Sequence, residues 1–247
     1  MKNMKKILLV IFLFLAPFAL QAQEAKTLFS NIPEAVLPLL SSVNRADFVD
    51  FLESNMKAEV KNKFGGTSEM TDLTSDYIRI QMTSRSTWEM KTLAVNDSTK
   101  IICTVSTTCA PVCDSEVRFY AADWNEIPSS SYLTPPVMDD YFQLLDSARL
   151  DDYTIYRSRM DMLLAKASLS KEDNTLTFTL TTPEYAGKRS ADDENEIANI
   201  DEFLRKPLVF VWESEPDSGS YQFTASPQPS PLERAGVRLS LLSVRRL

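Results

Sequence analysis

The chain has 247 residues, no histidine, and 26 Lys and Arg against 34 Asp and Glu, for a formal net charge of −8. The acidic balance argues against any function built on gripping phosphate backbones. The missing imidazole removes Ser-His-Asp and Cys-His nucleophiles, His-containing zinc sites and the commonest general base near neutral pH.

Lys2, Lys5 and Lys6 precede an apolar run from Ile7 to Leu15 and a small-residue approach to Ala22, the three parts of a secretory signal peptide over residues 1–22. The apolar stretch is shorter than the roughly 20 residues needed to span a bilayer core, and no later stretch reaches that length. Cleavage is expected after Ala22, leaving Gln23 first, although Leu20 is larger than the residue usual at −3. No cysteine follows the run to carry a lipid anchor. Loss of the three lysines takes the net charge from −8 to −11. The expected product is periplasmic or secreted, without a transmembrane segment and without a nucleic-acid partner.

The next elements read as helices. Asn31 caps a short one through residues 33–40, with Pro33 in its first turn, and Asn44 caps a second over residues 45–56, where Phe48, Val49, Phe51, Leu52 and Met56 share a stripe. Gly65-Gly66 ends the region. Alternating runs at 77–82, 88–95, 100–105 and 116–120 then predict an antiparallel meander with one packed face and one wet face. Asn96-Asp97-Ser98 supplies a hairpin turn.

A Ser- and Pro-rich loop over residues 125–136 separates a second unit. It reads as a helix over 137–148, strands at 153–156 and within 160–169, a turn at 171–174 and a strand at 175–180. An acidic run at 192–196 then leads into a helix carrying Ile197, Ile200, Phe203 and Leu204, and a strand follows at 207–212. Helix followed by meander, twice, predicts an α+β domain over 23–215 with one long antiparallel sheet and helices on one face. The halves, about 26–127 and 136–213, read as related. Residues 216–247, with Pro227, Pro229 and Pro231, are expected to be an irregular and dispensable tail, either flexible or the product of read-through.

Cys103, Cys109 and Cys113 are the only thiols. In a hairpin centred on Pro111, Cys109 and Cys113 flank the centre symmetrically and come within bridging range, which leaves Cys103 reduced in a strand. A redox site would favour two intervening residues at a helix start, so the match to that chemistry is poor. Three thiols without histidine make a weak metal set. The acidic pairs Asp139-Asp140 and Asp151-Asp152, and the run at 192–196, offer carboxylates for hydrolysis or calcium, but no spacing selects a pair and the run lacks the glycine of a calcium loop. No catalytic residue, metal ligand or cofactor is assigned. Among the aromatics, Trp88, Tyr120, Trp124 and Tyr132 are candidates to line a ligand groove, with core packing as the competing role.

The helix pair, the strand at 101–105, the loop Thr108-Cys109-Ala110-Pro111-Val112-Cys113-Asp114-Ser115, Arg118-Phe119-Tyr120 with Asp123-Trp124, and Pro207-Leu208-Val209-Phe210-Val211-Trp212 resemble a family of exported Bacteroidales proteins, the domain-of-unknown-function family 3256. The resemblance covers residues 26–212 and departs after Trp212. It implies no reaction, ligand or catalytic residue. The sequence therefore points to an exported, non-catalytic binding or interaction module that uses its sheet face or aromatic loops on a protein or small ligand. A carboxylate hydrolase or a cell-envelope assembly factor is the alternative.

Overall fold

A computed structural model of the chain describes residues 24–96, 98–144, 147–183, 202–205, 207–214 and 219–226. The expected signal peptide, the acidic run at 192–196, the start of the helix after it and the Pro-rich stretch all lie outside the described residues. Strands β1 (Glu59–Lys61), β2 (Thr67–Leu73), β3 (Tyr77–Thr83), β4 (Ser86–Ala94), β5 (Lys100–Cys109), β6 (Cys113–Ala121) and β7 (Glu126–Ile127) form a seven-stranded antiparallel meander, sheet A. Strands β8 (Ala165–Leu169), β9 (Thr175–Leu180), β10 (Leu208–Ser214) and β11 (Tyr221–Ala225) form a separate sheet B, ordered β11-β10-β9-β8. The protein is mostly antiparallel sheet with few helices, and the single continuous sheet expected from sequence is two sheets.

The reason lies in the central strands. Residues 88–93 of β4 and 101–105 of β5 are buried without interruption, so both faces of sheet A are covered rather than one. On one face Ile78, Ile80, Trp88, Met90 and Ile102 pack under α1 (Glu24–Ser30) and α2 (Ser42–Glu53), which contribute Phe29, Phe48 and Val49. On the other face Leu93, Cys103, Val105 and Phe119 meet Leu169, Leu176, Phe210 and Trp212 of sheet B. The result is three layers: helices, sheet A, sheet B. The Trp124 indole donates to Leu28 O at 3.1 Å and pins α1; the Trp212 indole donates to Ala94 O at 2.7 Å and pins sheet B.

Three local expectations change. Residues 33–40 form turns, and the first helix lies before Asn31, whose amide caps it by donating to Thr27 O at 3.0 Å. Ser41, not Asn44, caps α2: Ser41 Oγ accepts from Asn44 N and Asn44 Oδ1 accepts from Ser41 N, a reciprocal box with Asn44 as the third helical residue. The strand expected at 153–156 is helix α3 (Leu150–Arg159), preceded by 3-10 turns at Met138–Tyr141 and Ser147–Arg149 where one longer helix was expected. Tyr153 and Tyr156, three residues apart, both turn onto Phe203 at 6.1 and 5.6 Å.

The tail is not irregular throughout. Gly219, at φ +64°, turns the chain so that β11 pairs with β10 in register Trp212↔Phe223. Phe223 is 3% exposed and its N–H donates to Tyr132 O at 2.8 Å.

Sheet edges are short or occupied. Strand β8 is the edge of sheet B facing sheet A, and its outward N–H groups are taken by side chains of that sheet. Ala165 N donates to Asp114 Oδ1 at 3.2 Å, Ala167 N to Ser115 Oγ at 2.9 Å and Leu169 N to Glu89 Oε2 at 2.9 Å. An open row of donors is thereby closed against pairing with other chains.

Candidate functional site

Of the four candidate aromatics, the structure brings three together. Trp88, Tyr120 and Trp124 line a cleft of about 350 Å³ beside the helix layer, with Arg118 between Glu116 and Glu126 at its rim. The three rings are nevertheless only 3–6% exposed, so their main role is to fill the core beneath the helices. Tyr132 lies on the opposite side of sheet A, against Phe119 at 5.3 Å and Trp212 at 5.6 Å. Arg118 donates to Glu116 Oε1 at 2.7 Å, which raises its pKa above the ordinary guanidinium value.

A larger cleft, about 500 Å³, opens on the other face of sheet A, where sheet B stops at β8 and leaves the β3–β4 corner uncovered. Its lining includes Arg79, Gln81, Arg85, Ser86, Thr87 and Lys166, and no carboxylate. Alternation places Arg79 and Gln81 here: they share the face of Tyr77, while Ile78 and Ile80 point to the helices. Arg85 sits at the β3–β4 hairpin tip, and Lys166 on β8 forms the opposite wall.

The disulfide holds these walls together. Cys109 and Cys113 are bridged, as the symmetric placement about Pro111 predicts, with Cα atoms 3.8 Å apart, and Cys103 is free and buried. The bridged tip contributes Cys109 and Pro111 to the cleft lining. Cys109 N donates to Arg85 O at 2.8 Å, tying one hairpin tip to the other. Cys113 O accepts from Thr181 Oγ1, and the next residue, Asp114, takes Ala165 N, tying the same tip to sheet B. A bridge closing so short a ring restricts the unfolded chain little; its effect is to fix the junction of β3–β4, β5–β6 and sheet B. Burial pushes the Cys103 thiol well above its ordinary pKa, so it is inert beside this bridge.

Behind the cleft lies a buried polar network between the sheets. Glu89, 3% exposed, accepts from Tyr77 Oη at 3.2 Å, Ser168 Oγ at 3.3 Å and Leu169 N at 2.9 Å, and faces Arg79 Nε at 3.7 Å. Lys91, 1% exposed, donates to Ser170 O at 3.1 Å and pairs with Asp76 at 3.0 Å. Burial, and then the Glu89 charge, push the Tyr77 phenol well above its usual pKa, so it stays a donor. Glu89 therefore has its acceptor sites filled from inside the protein, and it anchors Arg79 from behind.

Three of the four carboxylates in the acidic pairs are engaged: Asp139 pairs with Arg157 at 2.6 Å, Asp140 accepts Val137 N at 2.7 Å and Asp152 faces Arg149 at 3.4 Å. Among the described residues no three Cys, Asp or Glu side chains converge on a metal position. The open-face cleft can donate hydrogen bonds and positive charge, and its lining contains no carboxylate. Arg79, Arg85 and Lys166 are absent from the sequence-derived candidates. Arg79 is legible as a cation on the more open parity of β3, opposite Ile78, Ile80 and Met82, whereas Lys166 reaches the cleft only through sheet packing.

The chain matches the family described as "Protein of unknown function (DUF3256)" over residues 17–216, so β11 lies beyond the matched part. A solved domain of an uncharacterized protein from Porphyromonas gingivalis W83 is similar at 27% identity and a TM-score of 0.68, covering 84% of this chain and 100% of that one. No curated protein matches the chain. With most of its length covered by the family match, including both cysteine-bearing strands and the walls of both clefts described above, the chain belongs to the DUF3256 family.

Proposed function

We propose that the protein is exported by cleavage after Ala22 and acts in the periplasm or outside the cell as a non-catalytic binding module, with its site on the uncovered corner of sheet A. The observation that carries this reading is the open-face cleft itself. Its volume of about 500 Å³ falls in the range of small-molecule sites, and its donors come from β3, the β3–β4 tip, β5 and β8, elements locked together by one disulfide tip. The disulfide is compatible with an oxidising export compartment, and among the described residues no helix is long and apolar enough to cross a membrane. The net negative charge disfavours nucleic acid as the partner. A hydrolase reading would rest on Glu116 and Glu126 in the smaller cleft, where both carboxylates already flank Arg118, Glu116 at 2.7 Å and Glu126 at 3.7 Å.

Two measurements test the proposal. Mass spectrometry of protein recovered from its host is expected to show a chain starting at Gln23; an intact Met1 in the cytoplasm contradicts export. A thermal-shift panel of envelope sugars and small metabolites is expected to contain a ligand that raises the midpoint by about 5–10 °C at a hundredfold excess over its Kd. Thr87→Trp, which projects a ring into the cleft from β4, is expected to abolish that shift. A ligand that stabilises wild type and variant equally places binding elsewhere.

A further inference from the structure

Resting on the reading of the open-face cleft as a ligand site, we infer that its ligand is a sugar-sized molecule bearing one tetrahedral oxyanion, a phosphate or sulfate monoester, gripped by Arg79, Arg85 and Lys166. A chain with a formal net charge of −8 gathers three cations in one cleft whose lining holds no carboxylate. Arg85 and Lys166 make no ion pair among the described residues, so their charge is not spent on the fold. Arg79 differs: Glu89 meets its Nε from behind at 3.7 Å, and its side chain is 40% exposed, which leaves a guanidinium that is oriented and still open to the cleft. A forked guanidinium matches the geometry of phosphate and sulfate oxygens, and a lysine adds a point charge without directional demand.

The rest of the lining says what carries the anion. Gln81, Ser84, Ser86, Thr87 and Thr107 are neutral and polar, and no aromatic residue is among the lining. The Gln81 amide donates to Ser86 O at 3.1 Å, which fixes its orientation and leaves its oxygen available to a ligand hydroxyl. Hydroxyls and amides of this kind suit a polyol. A polymer of many charges is disfavoured for a physical reason. Attraction in the cleft acts over a few ångströms, whereas an extended polyanion would lie across an acidic surface, repelled within a screening length of about 8 Å at physiological salt. One anionic group on a neutral body gains the first effect and avoids the second.

Isothermal titration of the full chain with glucose 6-phosphate, glucose 6-sulfate, glucose, inorganic phosphate and inorganic sulfate tests this. The sugar esters are expected to bind, the free ions to bind about tenfold more weakly, and glucose to give no heat. Arg85→Gln and Lys166→Gln, both at exposed positions, are each expected to weaken the esters about tenfold, the loss of one charge-assisted contact, without changing the melting midpoint. Free ions binding as tightly as the esters would reduce the site to an oxyanion site with no role for the sugar and overturn the sugar-sized assignment. Glucose binding as well as its phosphate, with Thr87→Trp abolishing both and Arg85→Gln neither, would overturn the oxyanion assignment and leave the cleft a binding site. No heat with any probe overturns the inference.

Discussion

Replacing Phe223 by alanine is expected to lower the stability of the protein by about 3–5 kcal/mol, the range for a large aromatic removed from a packed core. Phe223 belongs to a stretch that the sequence marks as a dispensable tail, but its ring is 3% exposed and packs against Trp212 at 5.1 Å and Phe119 at 6.2 Å. Those two residues belong to different sheets, so the ring closes the end of the sandwich. Deleting residues 217–247 is expected to cost at least as much, because it also strips β10 of its partner over five register pairs from Phe210↔Ala225 to Ser214↔Tyr221. Urea denaturation of the two variants measures this. A loss under about 1 kcal/mol in both would mean that β11 is an ornament of the edge and would restore the dispensable-tail reading.

Glu89→Ala is expected to cost a comparable amount, about 3–5 kcal/mol, for a different reason. The carboxylate is the shared acceptor for Tyr77 Oη, Ser168 Oγ and Leu169 N, and the variant leaves these donors without it between two sheets. Glu89→Gln keeps the shape and part of the acceptor capacity, so its cost is expected to be smaller, about 1–3 kcal/mol. The comparison separates lost volume from lost hydrogen bonding. If Glu89→Ala and Glu89→Gln were equally mild, the network would not be what registers sheet B on sheet A.

What was legible in the sequence is what short-range chemistry decides. The turn at residues 96–98 forms because Asn96 Oδ1 accepts from Ser98 N at 2.9 Å and Thr99 N at 2.8 Å, bonds available to any chain with that tripeptide. The Cys109–Cys113 bridge follows from hairpin symmetry about Pro111 in the same way. Alternation and composition mislead where a partner distant in sequence decides the outcome. Residues 153–156 look like a strand, yet Asp151 and Asp152 in the first turn and Arg157 and Arg159 in the last are a helix signature that outweighs the aromatic and β-branched side chains. The core partner that holds that helix, Phe203, lies about fifty residues away. The second sheet is not legible in β4, where Glu89 and Lys91 alternate with apolar residues as on a wet face and are buried only because Tyr77, Asp76 and the β8 segment supply their partners. The nearly continuous apolar run Ile101-Ile102-Cys103-Thr104-Val105 of β5 is the one local sign of a strand covered on both faces. The open-face cleft is hidden in the sequence for a related reason. Aromatics that suggested a groove serve chiefly as core, and the cleft depends on Lys166 meeting Arg79 and Arg85 across the sandwich.

Where a ligand touches the protein decides between the helix side and the open side of sheet A. Isotope-labelled full chain titrated with glucose 6-phosphate and followed by NMR separates the two clefts, since the larger contains Arg79 and Arg85 and the smaller contains the Trp88 and Trp124 indoles. The predicted result is movement of the Arg79 and Arg85 side-chain signals and of the backbone amides of Thr87 and Cys109, with the indole signals unmoved. Movement of the indoles with Arg79 and Arg85 still would contradict it and transfer recognition to the helix side of the sheet.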